Sequence, residues 1–323
     1  MPYAASYNNA DICRVICTVN GSAQTKELTL TSATARELIP DKLTSLGLGT
    51  WYLDTTRNDF NVYSCAVKTG VQITSLGIGT DFTFAFESLH SMTNTEGYNP
   101  YAGLIEVSNG IFYGTTTSDP TGYGTIFEYN ANTGVYTTKH VLNGTNGRSP
   151  YAGLIQASDG KLYGTARQGG ASGNGTIFSY EIGVGFNKLH DFNGTNGGSP
   201  FAGLIQASDG KLYGTTYQGG AIGYGIVFSY QIGVGFNKLH DFDNTNGGFP
   251  YAGLIQASDG KLYGTTQTGG ASGNGTIFSY EIGVGFNKLH DFDNTNGRYP
   301  YAGLIQASDG KLYGTTQSGG ASG

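Results

Sequence analysis

Residues 150–165 read PYAGLIQASDGKLYGT, and the same letters return at 250–265 and 300–315, with Phe201 replacing the tyrosine in the copy at 200–215. An earlier copy at 100–115 drifts to PYAGLIEVSNGIFYGT. The prolines Pro100, Pro150, Pro200, Pro250 and Pro300 stand 50 residues apart, and so do all five histidines, His90, His140, His190, His240 and His290. One supersecondary unit has been copied in tandem. Inside the quoted stretch two apolar runs, Ala152 to Ala157 and Lys161 to Thr165, flank Ser158-Asp159-Gly160, and an Asp-Gly pair favours a tight hairpin because glycine takes positive φ without strain. Thr176 to Ile182 and Phe186 to Phe192 supply two more strands around the turn Gly183-Val184-Gly185. Gln168 to Gly175 and Asn193 to Pro200 form the two longer connections. Four short antiparallel strands per 50 residues is the pattern of a propeller blade.

The ends of the array carry the pattern further. Residues 79–99 match the second half of a unit and residues 300–323 the first half, so with the four periods from Pro100 to Tyr299 they amount to five. Complementary halves are what a closed ring uses to complete a composite blade, whereas an open solenoid has no such need. The expected fold is all-β, a five-bladed β-propeller of 50-residue four-stranded repeats over residues 77–323. If the blade boundary falls at the Gly-rich loop, five continuous blades result instead, and sequence phase leaves both open. Residues 1–76 read as a small β-rich anchor or attachment module with strands at Asp11 to Asn20, Lys26 to Leu30, Gly49 to Asp54 and Asn61 to Lys68. A short helix is expected at Ala33 to Ile39, stopped by Pro40. A piece of that size is marginal alone, which implies a supporting partner, an anchoring protein contacting residues 1–76.

Composition narrows the function. Charged residues make up 12% of the 323, against 54 glycines, 23 tyrosines and 17 phenylalanines, which suits many tight turns between short packed strands rather than disorder. Residues 1–76 hold six basic and six acidic side chains, leaving eleven basic against seventeen acidic in the array. An acidic array without Lys/Arg clusters predicts no nucleic-acid partner. No apolar run is long enough to span a bilayer, which predicts no membrane insertion. Cys13, Cys17 and Cys65 do not recur with the repeat and lack zinc-site spacing; one disulfide plus a thiol and a fully reduced set are both open. The opening MPYAASYNNADICRVIC has no basic start, apolar stretch and small-residue cleavage site, so no signal peptide is expected.

Gly153-Leu154-Ile155, Gly160-Lys161-Leu162-Tyr163-Gly164-Thr165, Gly169-Gly170 and Gly175-Thr176-Ile177-Phe178 resemble the GloVer tandem repeat of bacterial surface proteins. That resemblance covers residues 77–323 and implies an exported or surface-displayed repeat domain, with no reaction attached. In blade count the array also resembles tachylectin-type lectins, a likeness of architecture alone.

In a four-stranded antiparallel blade the second-to-third and fourth-to-next-first connections emerge on the same face, so both long loops share one face. The repeats hardly differ in their strands and differ most in these loops. Arg148, Gly198, Gly248 and Arg298 are equivalents, as are Ser149, Ser199, Phe249 and Tyr299, and a third position holds Thr117, Arg167, Tyr217, Gln267 and Gln317. Aromatic and amide groups on a rigid rim suit sugar rings, which offer apolar faces and hydroxyl edges. The candidate ligand residues are therefore Tyr151, Phe201, Tyr251 and Tyr301 after the prolines, Asn146, Asn196, Asn246 and Asn296 in the Asn-Gly loops, and Arg148, Arg298, Arg167, Tyr217, Gln168 and Gln218. The histidines lie within strands and are expected to make structural hydrogen bonds, and the repeated Asp159, Asp209, Asp259 and Asp309 to brace turns. No acid-base or Ser-His-Asp set stands in one uniquely decorated unit, so no catalytic residue, metal or cofactor is expected. The resulting expectation is a non-enzymatic recognition or adhesion protein that engages cell-surface glycans or glycoproteins at several equivalent weak sites, as a virion fibre, spike or surface-appendage component. The alternative is a structural or protein-interaction platform without a small ligand. Oligomeric state is not readable from the sequence.

Overall fold

The computed structural model describes five strands between Asp11 and Ile78 and, beyond them, residues 89–321. The chain divides into two compact units, Met1–Glu87 and Ser88–Gly323. All the described elements are β-strands.

In the first unit β1 (Asp11–Val19) pairs antiparallel with β2 (Ser22–Leu30), and β3 (Thr50–Leu53) with β4 (Tyr63–Ala66). A fifth strand, β5 (Ile73–Ile78), joins the other edge of β1. The first four fall on the expected segments, β5 is a strand the sequence reading omits, and the helix expected at 33–39 lies outside the described residues.

The second unit repeats one four-stranded antiparallel sheet. Its copies are β6 (Ile105–Ser108) to β9 (Val135–Val141) through β7 (Ile111–Thr116) and β8 (Thr125–Asn130), and then β10 (Ile155–Gln156), β11 (Leu162–Ala166), β12 (Thr176–Glu181) and β13 (Gly185–Asp191). Next come β14 (Ile205–Gln206), β15 (Leu212–Thr216), β16 (Ile226–Gln231) and β17 (Gly235–Asp241), then β18 (Ile255–Gln256), β19 (Leu262–Thr266), β20 (Thr276–Glu281) and β21 (Gly285–Asp291). A two-stranded sheet, β22 (Ile305–Gln306) and β23 (Leu312–Tyr313), follows. Strand order within each sheet follows chain order, so the sheet boundary falls at the Asn-Gly loop and the Gly-rich loop is internal to the blade. The expected junction of residues 79–99 with β22 and β23 involves residues 79–88, which lie outside the described residues.

Alternation along the strands makes the sheets stack as blades. In β11, Leu162 and Gly164 face the preceding sheet while Tyr163 and Thr165 face the next, the period-two division that a strand imposes. Tyr163, Ile177, Phe192 and Ala157 of one sheet accordingly pack against Leu204, Leu212, Phe228 and Tyr230 of the following one. The same layer recurs one repeat earlier and one later. Gly164 is required by closeness: a Cβ there would stand 2.7 Å from Cζ of Phe178 and 2.9 Å from Cδ2 of Leu154. The first strand is shorter than expected, and its leading residues stand beside their counterparts next door; a Cβ on Gly153 would lie 3.4 Å from the Gly103 carbonyl and one on Gly203 3.8 Å from that of Gly153, ordinary contact distances. These inner segments converge on the axis of a propeller-type array.

Candidate functional site

The expected roles of the constant residues can be checked contact by contact. On the tight-turn face Asp159 accepts hydrogen bonds from the Lys161 amide at 3.1 Å and the Tyr163 hydroxyl at 2.8 Å, and Asp209 repeats both. Burial first, then the hydrogen bond to Asp159, pushes the Tyr163 phenol up, and at Tyr263 the hydrogen bond to Asp259, ahead of burial, pushes the phenol up to about 12. Gln206 donates to the Ser158 hydroxyl and accepts from its amide, clamping one blade to the next, and Gln256 and Gln306 do the same one repeat on. The histidines are interblade fasteners. A bulge in each outer strand lets Ile177 face His190 while Phe178 faces Lys188. His190 stacks on Phe236 of the next blade at 4.0 Å, as His140 does on Phe186 and His240 on Phe286. Asn196 donates its amide to Nε2 of His190 at 3.1 Å, and Asn146 to His140 at 3.0 Å. Burial holds His140, His190 and His240 below the usual imidazole range, which favours the neutral ring that accepts from Asn146 and Asn196 at the first two.

Both long loops lie together, as expected from strand order. Gly170 donates to the Gly144 carbonyl, and Arg148 and Gln168 exchange backbone hydrogen bonds at 2.7 and 3.0 Å. Asp191, beside His190, accepts from the Ala171 amide and from Lys188, fixing the Gly-rich loop to the outer strand. Where Val141 replaces that aspartate, the loop braces itself: Asp119, only 3% exposed, accepts from the Tyr123 and Gly124 amides and the Thr121 hydroxyl. Local hydrogen bonds from these amides and Thr121 outweigh burial and hold its carboxyl below the usual range.

Six of the fourteen candidate ligand residues converge at the axis. Tyr101, Tyr151, Phe201, Tyr251 and Tyr301 form a belt whose successive ring centroids lie 5.0, 5.5, 4.9 and 5.3 Å apart. Each follows its proline at the loop end of an inner segment. The position after the second strand brings its side chain to the same belt. Arg167 holds its guanidinium 4.3 Å above the Phe201 ring and 5.3 Å above Tyr151. Tyr217 packs against Phe201, Tyr251 and Phe249, and its hydroxyl donates to Oε1 of Gln267 at 3.0 Å. Gln267 in turn donates its amide to the Tyr301 hydroxyl. Burial, then the Tyr301 and Tyr251 hydroxyls, push the Tyr217 phenol up, against a small opposing effect of Arg167.

The other eight candidates lie away from the belt. Asn146, Asn196, Asn246 and Asn296 close their own turns, each accepting through Oδ1 from the amide three residues earlier. Arg148 sits 5.9 Å over Tyr123, and Arg298 lies over Tyr299 and donates to the Ser318 hydroxyl. Gln168 and Gln218 bridge the backbones of residues 148 and 198. Gln267 and Phe249, absent from the candidates, join the axial set. Their signal was present in the 50-residue spacing, since Gln267 is the counterpart of Arg167 and Tyr217. Phe249 and Tyr299 also carry a rare backbone: the residue before each proline has φ between 52° and 58°, a left-handed conformation unusual for bulky side chains and before proline. Phe249 is held there by its amide donating to the Tyr224 carbonyl and its own carbonyl accepting from Gln267. Among the described residues no group of three or more His, Cys, Asp or Glu side chains could hold a metal ion, and no helix is long and apolar enough to cross a membrane.

The Gloeobacter/Verrucomicrobia repeat matches residues 56–208 and 186–323, and the chain belongs to that family. The match starts ahead of residue 77, and Tyr63 of β4 indeed stands one 50-residue period before Tyr113 of β7. No curated protein matches the sequence. Among solved structures, the extracellular domain of a one-component system from B. thetaiotaomicron is similar with a TM-score of 0.53 at 10% identity, over 81% of this chain and 31% of that one. The chain thus spans under a third of that protein's length, and the likeness is one of fold. A gluconolactonase from Xanthomonas campestris gives 0.46 at 15% identity over 69% and 72% of the two chains, and TolB from Acinetobacter baumannii 0.43 at 16% over 93% and 74%.

Proposed function

We propose that this member of the Gloeobacter/Verrucomicrobia repeat family is a non-enzymatic recognition protein that holds a saccharide on its axial aromatic belt, displayed outside the cell on a cell surface, appendage or virion. The observation that carries the reading is convergence: the position that varies among otherwise near-identical units places Arg167, Tyr217 and Gln267 side by side against Phe201, Tyr251 and Tyr301. Solvent-facing drift would scatter such differences, whereas here three neighbouring blades present a cation, a phenol and an amide to one place. Partly exposed aromatic rings offer a stacking platform for the apolar face of a pyranose, and the amide and hydroxyls offer hydrogen bonds to its edges. The repeated aspartates already serve turns and loops, which leaves the belt a binding surface rather than an acid-base site. Likeness to an extracellular domain agrees with display outside the cell. Several equivalent sites per chain give way in this reading to one asymmetric site.

A glycan array probed with the full chain, followed by calorimetry on the hits, tests it. Binding with a stoichiometry near one, lost in Tyr217→Ala at unchanged melting temperature, is the expected result. No binding across a panel of neutral, acidic and sulfated glycans overturns it and favours a platform role.

A further inference from the structure

The cations of residues 89–321 divide by type. All eight lysines have a carboxylate oxygen within 2.6 to 3.9 Å. None of the three arginines, Arg148, Arg167 and Arg298, has one among the described residues, and all three lie on the loop face. Arg148 and Arg298 each lie over one tyrosine away from the belt, whereas Arg167 belongs to it. Its guanidinium is placed over two rings, and its Nε is buried without a hydrogen-bond partner among the described residues. A buried donor left unmade costs free energy, the more so on a charged group. Aromatic faces support the charge from one side and offer no acceptor for its N–H groups.

We propose that Arg167 receives the acid group of an anionic saccharide, a carboxylate or sulfate carried on a pyranose ring, while the ring rests on the aromatic surface around Phe201, Tyr217 and Tyr251. This rests on the saccharide reading and specifies its ligand class. A guanidinium offers coplanar donors in a fork that matches carboxylate and sulfate oxygens, and it binds them more strongly than a neutral donor pair does. Position also selects one orientation. The counterparts of Arg167 are Thr117, Tyr217, Gln267 and Gln317, so one blade in the array presents charge at this place. A saccharide with one acidic ring would therefore seat that ring against Arg167 and extend its neutral neighbours toward Tyr217 and Gln267. The array as a whole is acidic and would not steer an anion from afar, so discrimination has to arise in the site by contact.

The test uses the full chain and saccharide pairs that differ only in the acid group: trigalacturonic acid and its methyl ester, sialyllactose and its sialic-acid methyl ester, and a chondroitin 6-sulfate oligosaccharide and its desulfated form. Calorimetry is expected to show the acidic member of at least one pair binding about ten- to a hundredfold more tightly than its partner, the worth of one charge-assisted contact. The pair that responds tells carboxylate from sulfate. In Arg167→Gln that ratio should fall to about one while the neutral member keeps its affinity, and Arg167→Lys should restore part of it, with all three proteins melting alike. Equal affinity within every pair, or a ratio that survives Arg167→Gln, overturns the assignment and leaves saccharide recognition standing. Absence of binding by both members of every pair, together with an empty array, overturns both.

Discussion

Gly164→Ala tests the packing logic of the whole array. The added methyl would meet Phe178 Cζ at 2.7 Å and Leu154 Cδ2 at 2.9 Å, against the 3.5 to 4.0 Å or so at which carbon atoms settle. The ring has to retreat by about 1 Å, yet Phe178 is fully buried with Leu162 and Ile126 in the same layer. Overpacking of this kind costs about 1 to 3 kcal/mol. For a unit of this size each kcal/mol corresponds to about 2 to 4 °C, which places the expected loss of melting temperature between about 2 and 12 °C, provided unfolding is close to two-state. Circular dichroism melts of the full chain measure it. Gly253 is the internal control, since a Cβ there would meet only the Gly203 carbonyl, at 3.8 Å, an ordinary contact. Gly253→Ala should therefore cost well under half as much. Shortening the clashing ring in Gly164→Ala/Phe178→Leu should cost less than the two single changes added, because the lost ring relieves the clash. If Gly164→Ala melts within about 1 °C of the parent, or Gly253→Ala costs as much, the account of glycine and phenylalanine as paired halves of one layer is refuted.

Acid should loosen the array through its histidines. Burial lowers the pKa of His140, His190 and His240 from 6.5, so the unfolded chain binds protons that the folded chain refuses. Stability from this source is complete above about pH 6.5 and is lost as pH falls through the lower folded values. The aspartates Asp119, Asp191 and Asp291 sit below 3.8, so melting temperatures compared at pH 7.5 and 5 isolate the imidazoles. His240→Phe, whose ring keeps the stack on Phe286 and leaves no unpaired Nε2, should shrink the difference; an unchanged difference would count against the fastener role. Asp119→Ala removes the acceptor of two amides and a hydroxyl in a buried place and should cost at least about 2 kcal/mol by denaturant titration. Asn196→Ala should cost about 1 kcal/mol and leave saccharide affinity untouched, because its amide serves His190 and the turn. A loss of binding there would return the Asn-Gly loops to the site.

Repetition decided how much could be read without a structure. Strand placement in the array was legible because period-two patterning and Asp-Gly or Gly-x-Gly turns act locally, and four of the strands in the first unit were legible for the same reason. β5 and the early start of the family match were not, since the landmarks are gone there: the counterparts of Pro100 and Gly114 one period earlier are Thr50 and Ser64. Blade phase could not be read either, because a loop internal to a sheet and a loop between sheets share the same composition.

The site divides along a different line. Residues constant in every unit are constrained by contacts that every blade must make, and a side chain needed in every blade is poorly placed to choose a ligand. Asn196 illustrates this: its amide type suggests sugar recognition, yet the turn amide and His190 take both its ends. Residues that vary are free of such duties, but variation alone does not say whether a side chain points outward or inward. Arg148 and Arg167 both stand at positions that vary, one lying over a lone tyrosine and the other over two rings at the axis. What separates them is which end of which strand they follow, and that became readable only when the innermost strand was known. Position 167 lies at the loop end of the second strand, one strand from the axis, so Arg167, Tyr217 and Gln267 each meet the aromatic after the next proline. Altering that position should change what is bound without changing the fold that presents it.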